Sequence, residues 1–169
     1  MDAKALFKFS SGLYVVSARS GDDVGACLVN TGLQLTSEPL QVAVVVNKQN
    51  HTHDVIKSAG HFALCPLTQG ADMPFVGRFG FRTSTEFDKF AGIETRTTCL
   101  GDPFTPQNAA SVIACQVVQT LDVGTHTVFV GEVRDAEVLD DAPLLTYEYY
   151  HTVLKGKTPP KASSYLGNQ

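Results

Sequence analysis

Two long β-branched segments late in the chain, SVIACQVVQTLDVG (residues 111–124) and HTVFVGEVRDAEVL (residues 126–139), leave few folds open to this sequence. Gly124-Thr125 joins them as a tight turn, so they read as an antiparallel hairpin. Shorter strand patterns precede it: GLYVVSARSG between Gly12 and Gly21, the pair framed by Gly25 and Asn47, and HFALCPL from His61. No regular strand–helix alternation accompanies them, and neither GxGxxG nor GxxxxGK[ST] occurs. The sequence therefore predicts a mainly β protein, an antiparallel barrel or sandwich with a few peripheral helices.

At 169 residues, the chain is expected to form one domain over 1–169, with a Lys- and Pro-rich C-terminal arm from about 156. Three helices are predicted. The first covers about Asp2 to Lys8, with Leu6, Phe7 and Phe9 facing inward. The second starts near Asn50 or Thr52, runs through Val55, Ile56 and Ser58 and stops at Gly60; the third is MPFVGRF, residues 73–79.

A net charge of −4 gives no general attraction to nucleic acid or anionic membrane, so neither is an expected partner and any anion site must be local. The longest aliphatic run, Val42 to Val46, is too short to span a bilayer, and the N-terminus is a poor signal peptide. A cytoplasmic location is the expectation. Cys27, Cys65, Cys99 and Cys115 form no CxxC pair, which argues against a rubredoxin-like or zinc-ribbon centre. Cys27, Cys65 and Cys115 sit in strand patterns as buried thiols, while Cys99 is expected to be exposed. The histidines lack familiar metal-ligand spacing and no metal site is expected.

The densest chemistry lies between Gly25 and His53, GACLVNTGLQLTSEPLQVAVVVNKQNHTH. It reads as strand, polar loop, strand and a polar turn opening a helix. Asn30, Thr31, Gln34, Thr36, Ser37, Asn47, Lys48, Asn50 and Thr52 exceed what a turn needs, and His51 lies among them. Such a shelf suits a phosphorylated small molecule, with phosphate at the helix start and Thr36 and Ser37 converging on it. Either polar group alone also reads as an ordinary turn or helix cap.

His126, just after the Gly turn, is the leading catalytic candidate, against an exposed strand-end histidine. Lys89 of FDKF is a second cation for an anion, while Phe79, Phe81, Phe87 and Phe90 either wall an aromatic ligand or pin a loop to the core. Tyr147, Tyr149 and Tyr150 read as core and interface aromatics rather than acids. No GxSxG serine supports hydrolysis.

In order and spacing, GLYVVSAR, GACLVNTGLQLTSEP, VVVNKQNHTHDVIKSAGHFAL, FGFRTSTEFDKF, GTHTVFVGEV and LLTYEYYH resemble the flavin reductase-like, FMN-binding split-barrel family, from about Phe9 to Tyr165. YYHTVLKGKTPPKASSY is similar to the branch sometimes followed by rubredoxin, whose cysteine pairs do not occur here.

The resemblance implies an antiparallel Greek-key split β-barrel and a homodimer with FMN, or FAD, at its interface. NADH or NADPH would be the substrate, and free flavin, rubredoxin or a diflavin oxygen reductase the acceptor. It assigns Asn30, Thr31, Gln34, Leu35, Thr36 and Ser37 to the ring side of the flavin. Asn47, Lys48, Asn50, His51 and Thr52 fall to the ribityl and phosphate, with Phe81 and Lys89 in the adjoining loop. His126 matches the histidine of a Gly-Asp-His motif near the nicotinamide, with Thr125 where Asp is common. An FMN electron carrier without direct NAD(P)H oxidation, or a non-enzymatic split barrel, are the alternatives.

Overall fold

The computed structural model describes residues 3–9 and 11–165. After a 3-10 turn at Ala3–Lys8 come β1 (Tyr14–Ser20), β2 (Asp23–Val29), β3 (Gly32–Ser37), β4 (Leu40–Asn47), α1 (His51–Ala59), β5 (His61–Pro66) and α2 (Met73–Gly80). The short pair β6 (Arg96–Thr97) and β7 (Pro103–Phe104) follows, then β8 (Ser111–Asp122), β9 (His126–Val138) and α3 (Tyr147–Thr152). One antiparallel sheet orders its strands β2-β1-β5-β8-β9-β4-β3, with β6 and β7 apart. Register shifts between Ala114 and Cys115 and between Val117 and Gln119 mark bulges that bend the long β8–β9 hairpin.

Alternation along the strands buries both faces of the sheet. Val16, Cys27, Val29, Val44, Phe62, Leu64 and Phe129 form one core with Val55 and Ile56 of α1. Val15, Ala26, Ala63 and Cys65 pack on the other face against Phe75, Val76 and Phe79 of α2 and Tyr150 of α3. The hairpin, α1 with Gly60 at its left-handed end (φ 75°), and α2 all lie where the sequence places them.

Asp72 caps α2, its side chain accepting from the Phe75 amide at 2.9 Å. Asp72→Ala is expected to lower stability by about 1 kcal/mol, the usual cost of losing an N-cap, and urea unfolding checks it.

Two expectations need correction. Residues 32–37 are a strand, not a loop: β3 pairs with β4 as the exposed edge of the sheet, so its polar residues face solvent without breaking the ladder. Leu6 and Phe9 point outward, 56% and 83% exposed, because a 3-10 helix of only two turns, ending before Phe9, presents no continuous apolar face to the barrel. Asp2 and the Phe7 side chain lie outside the described positions. Residues 147–152, for which no helix is predicted from the sequence, form α3, capped by the Thr146 hydroxyl. Among the described residues no helix is long and apolar enough to cross a membrane.

Candidate functional site

A cavity of about 670 Å³ opens between β2, the first turn of α1, the 79–89 loop and residues 159–163. That volume suits a small-molecule cofactor. Its position follows from Gly25, whose missing side chain lets β2 approach the α1 backbone: a Cβ there would stand 2.7 Å from Thr52 Cα. The His51 ring bonds Asp23 at 2.7 Å, tying the helix start to β2. His53 bridges Asp54 and Thr127 and packs edge-on against Phe129, fixing the same turn to β9. Asn50 occupies the N-cap position without a side-chain cap bond, and Thr52 is buried at the cavity wall.

The opposite wall is a loop sewn to a sheet edge. β2 ends the sheet order, so both polar groups of Ala26 face away from β1 and need partners. Ser84 Oγ accepts from Ala26 N at 3.1 Å and donates to Ala26 O at 3.2 Å. Lys89 Nζ donates to Ala26 O at 2.7 Å and to Phe79 O at 2.9 Å. Lys89 is only 4% exposed, and burial holds its pKa down at about 8 despite the nearby Cys27 thiol, with Lys161 adding repulsion. An ammonium has three donors, so one remains for a ligand. Arg82 lies over the Phe87 ring at 4.2 Å on the cavity rim.

Asn30, Asn47, Asn50, His51, Thr52, Phe81, Lys89 and His126 line this one cavity. His126 pairs with Asn47 across β9 and β4. Lys48 lines a shallower neighbouring depression and pairs with Asp122. Thr31 does not line the cavity but bonds Ser163, which does. Gln34, Leu35, Thr36 and Ser37 do not line the cavity. The expected convergence of Thr36 and Ser37 with Asn50–Thr52 fails within one chain: Ser37 pairs with Leu40 and Thr36 with Gln41, at the opposite end of β4 from Asn47. Seven strand steps separate those ends, about 23 Å.

Phe79 and Phe90 pack in the core, while Phe81 is 53% exposed at the rim. Cys27, Cys65 and Cys115 are buried and Cys99 is exposed. Burial pushes the Cys65 and Cys115 thiols up to about 12 and raises Cys27 as well, so none of these three is a ready nucleophile. Sequence reasoning missed Arg82, Tyr147 and the C-terminal residues as cavity lining. Only the charge of Arg82 beside the phenylalanines signalled its part.

Residues 6–155 match the family model described as flavin reductase like domain. The chain is 50% identical over 166 residues to the ferric-chelate reductase (NAD(P)H) of Archaeoglobus fulgidus, covering 98% of each. It is 39% identical over 165 residues to the high molecular weight rubredoxin of Moorella thermoacetica, covering 98% of this chain and 72% of that protein. The solved NADH:FAD oxidoreductase of Streptomyces globisporus shares the fold, with a TM-score of 0.77 at 21% identity over 85% of this chain and 84% of that one.

Proposed function

The chain belongs to the flavin reductase-like domain family, and on that premise we propose that it is an NAD(P)H-dependent oxidoreductase that holds FMN, or FAD, in the cavity beside Lys89 and His126. The observation that carries this reading is the donor set. A buried ammonium, the N-terminus of α1 and the Thr52 hydroxyl, which also bonds the Cys27 thiol, border a cavity of cofactor size. These are the partners a phosphate dianion requires. When bound, the flavin supplies the redox chemistry, accepting a hydride and passing electrons to an acceptor.

The protein's residues do the placing. Lys89 and the α1 turn hold the phosphate end, and Phe81 and Phe87 give the rim an apolar lining. His126 sits on the far side, where its imidazole orients the nicotinamide by a hydrogen bond. The acceptor is a free flavin, a ferric chelate or a redox protein such as rubredoxin or a diflavin oxygen reductase. The proposed setting is cytoplasmic.

A homodimer belongs to this reading. The outer face of β3, β4, β9 and β8 carries Leu33, Val45, Val128, Val130 and Leu121 in register, with Leu33 and Leu121 52% and 57% exposed. Val45 continues this apolar face into the cavity. A second copy on it would cover the patch and supply the ring-side contacts assigned to Gln34, Leu35, Thr36 and Ser37.

Anaerobic addition of NADH and of NADPH to the FMN-loaded protein tests the activity. Bleaching of the flavin absorption by at least one is expected, and no bleaching by either would refute it. His126→Ala should slow that bleaching roughly tenfold to hundredfold with FMN still bound, the effect of losing a positioning contact. An unchanged rate would make His126 structural.

A further inference from the structure

The cavity is roofed by the chain's own C-terminal residues, and their bonds fall on the shelf rather than on neutral surface. Asn30 Nδ2 donates to Ser164 Oγ at 2.7 Å, and Asn30 Oδ1 accepts from Ser163 Oγ at 2.8 Å and from Thr31 at 3.3 Å. Thr31 also shares a 2.7 Å bond with Ser163. Asn47 Nδ2 donates to the Lys161 carbonyl at 3.2 Å, while its Oδ1 accepts from Gln49 N at 2.9 Å. The same Lys161 carbonyl lies 3.3 Å from His126 Nε2, whose Nδ1 bonds Thr125 at 2.8 Å.

Every polar side-chain atom of Asn30, Asn47 and His126 is thus engaged, in each case partly by residues 161–164. The opposite end of the cavity differs: Thr52 bonds the Cys27 thiol, Lys89 bonds the Ala26 and Phe79 carbonyls and Arg82 lies over the Phe87 ring, and none of the three hydrogen-bonds residues 161–164.

The segment is also held lightly. Its residues are half-buried or exposed. Ser164 donates to the Tyr147 hydroxyl at 3.0 Å, Lys161 Nζ to the Gln49 carbonyl at 3.2 Å, and internal backbone bonds link Ala162 to Pro159 and Tyr165 to Ala162. Segments fastened by exposed hydrogen bonds instead of apolar burial open first.

We propose that residues 159–164 form a displaceable strap that competes with the bound flavin for Asn30, Thr31 and Asn47 and with the nicotinamide for His126, while leaving the Lys89 end of the cavity open. The proposal rests on the flavin reading above. Closure of the strap lowers apparent flavin affinity by the fraction of molecules that are open. Asn30 and Asn47 therefore have two roles, gripping the strap in the free protein and the ligand once the strap has swung aside.

The test pairs wild type with Ser163→Ala/Ser164→Ala, which removes the strap bonds to Asn30 and Thr31 and takes from the cavity lining only the Ser163 hydroxyl. FMN affinity is read by quenching of flavin fluorescence, and strap opening by the rate of trypsin cleavage after Lys161. The variant is expected to bind FMN about tenfold more tightly and to be cleaved faster without ligand. FMN should accelerate cleavage of the wild type by holding the strap open.

Equal or weaker FMN binding by the variant, or protection of wild type by FMN, overturns the strap proposal and leaves the flavin reading standing. Protection would mean that the strap clamps the ligand. Failure of both proteins to bind FMN overturns the flavin reading and the strap with it.

Discussion

Lys89→Met is expected to weaken FMN binding about tenfold to hundredfold while leaving the fold intact, because hydrogen bonds to charged groups contribute roughly 1.5–3 kcal/mol. Methionine keeps the stem's volume and removes the one buried cation beside the cavity. Its cost to the fold is small for two opposing reasons. Phe79 O loses its donor, whereas Ala26 O keeps Ser84. Against that loss, a buried ammonium with no carboxylate partner no longer has to be desolvated.

The sign of the pH dependence follows from the same burial. The lysine titrates near 10.5 when unfolded and near 8 in the folded chain. Between those values Lys89 holds more of its proton in the unfolded chain than in the folded one, so its own contribution to stability rises with pH through this window, against the buried Cys27, Cys65 and Cys115 thiols, whose raised pKa values act in the opposite sense. Below the folded pKa the desolvation penalty is fully present. The difference in unfolding free energy between wild type and Lys89→Met should therefore shift in favour of wild type from about pH 7 to about pH 9.5, which urea unfolding of both proteins would show. An FMN affinity equal to wild type would remove Lys89 from the binding site and make it a stitch for the β2 edge.

Lys89 also shows where sequence reading stops. Its charge in FDKF reads as a second cation for an anion, and nothing local reveals that the edge of β2 needs donors at Ala26. That need arises from sheet order, which is a tertiary property. The β8–β9 hairpin was legible because β-branched runs and the Gly124 turn are local signals, as were the Gly60 stop of α1 and the α2 pattern.

β3 was not legible as a strand for a physical reason: an edge strand with one open side keeps polar residues, and GLQLTS then looks like a loop. Sequence neighbourhood misled in the same region. Thr36 and Ser37 lie close in sequence to Asn50 and Thr52, yet β4 carries them to opposite ends of a strand. The strap had no signal beyond two prolines and two serines, since side-chain bonds to distant asparagines have no periodicity. The shelf around Asn30, Asn47 and the α1 turn was visible as composition, and the fold turned it into one cavity with His126 on its rim.

What brings that cavity together is a missing side chain, so Gly25→Ala should damage folding and binding at once. Glycine within a strand carries an entropic cost, and an added methyl would ordinarily help β2. Here the new Cβ would lie 2.7 Å from Thr52 Cα, 3.2 Å from Thr52 N and 3.1 Å from Val55 Cγ2. Two of those three atoms are backbone in the first turn of α1, so no side-chain rotation relieves the clash. The helix start has to move away from β2, against the His51–Asp23 and His53–Thr127 bonds that fix it. Overpacking of this kind costs about 1–3 kcal/mol, a melting shift of roughly 3–10 °C for a chain of this size. The displaced turn carries Thr52 and the first-turn amides with it, so FMN affinity should fall about tenfold or more, as expected when a preorganised site loosens. Calorimetry and flavin titration read the two effects separately. Wild-type values in both would mean that α1 yields freely, and that close contact between β2 and the helix start is not what shapes the cavity.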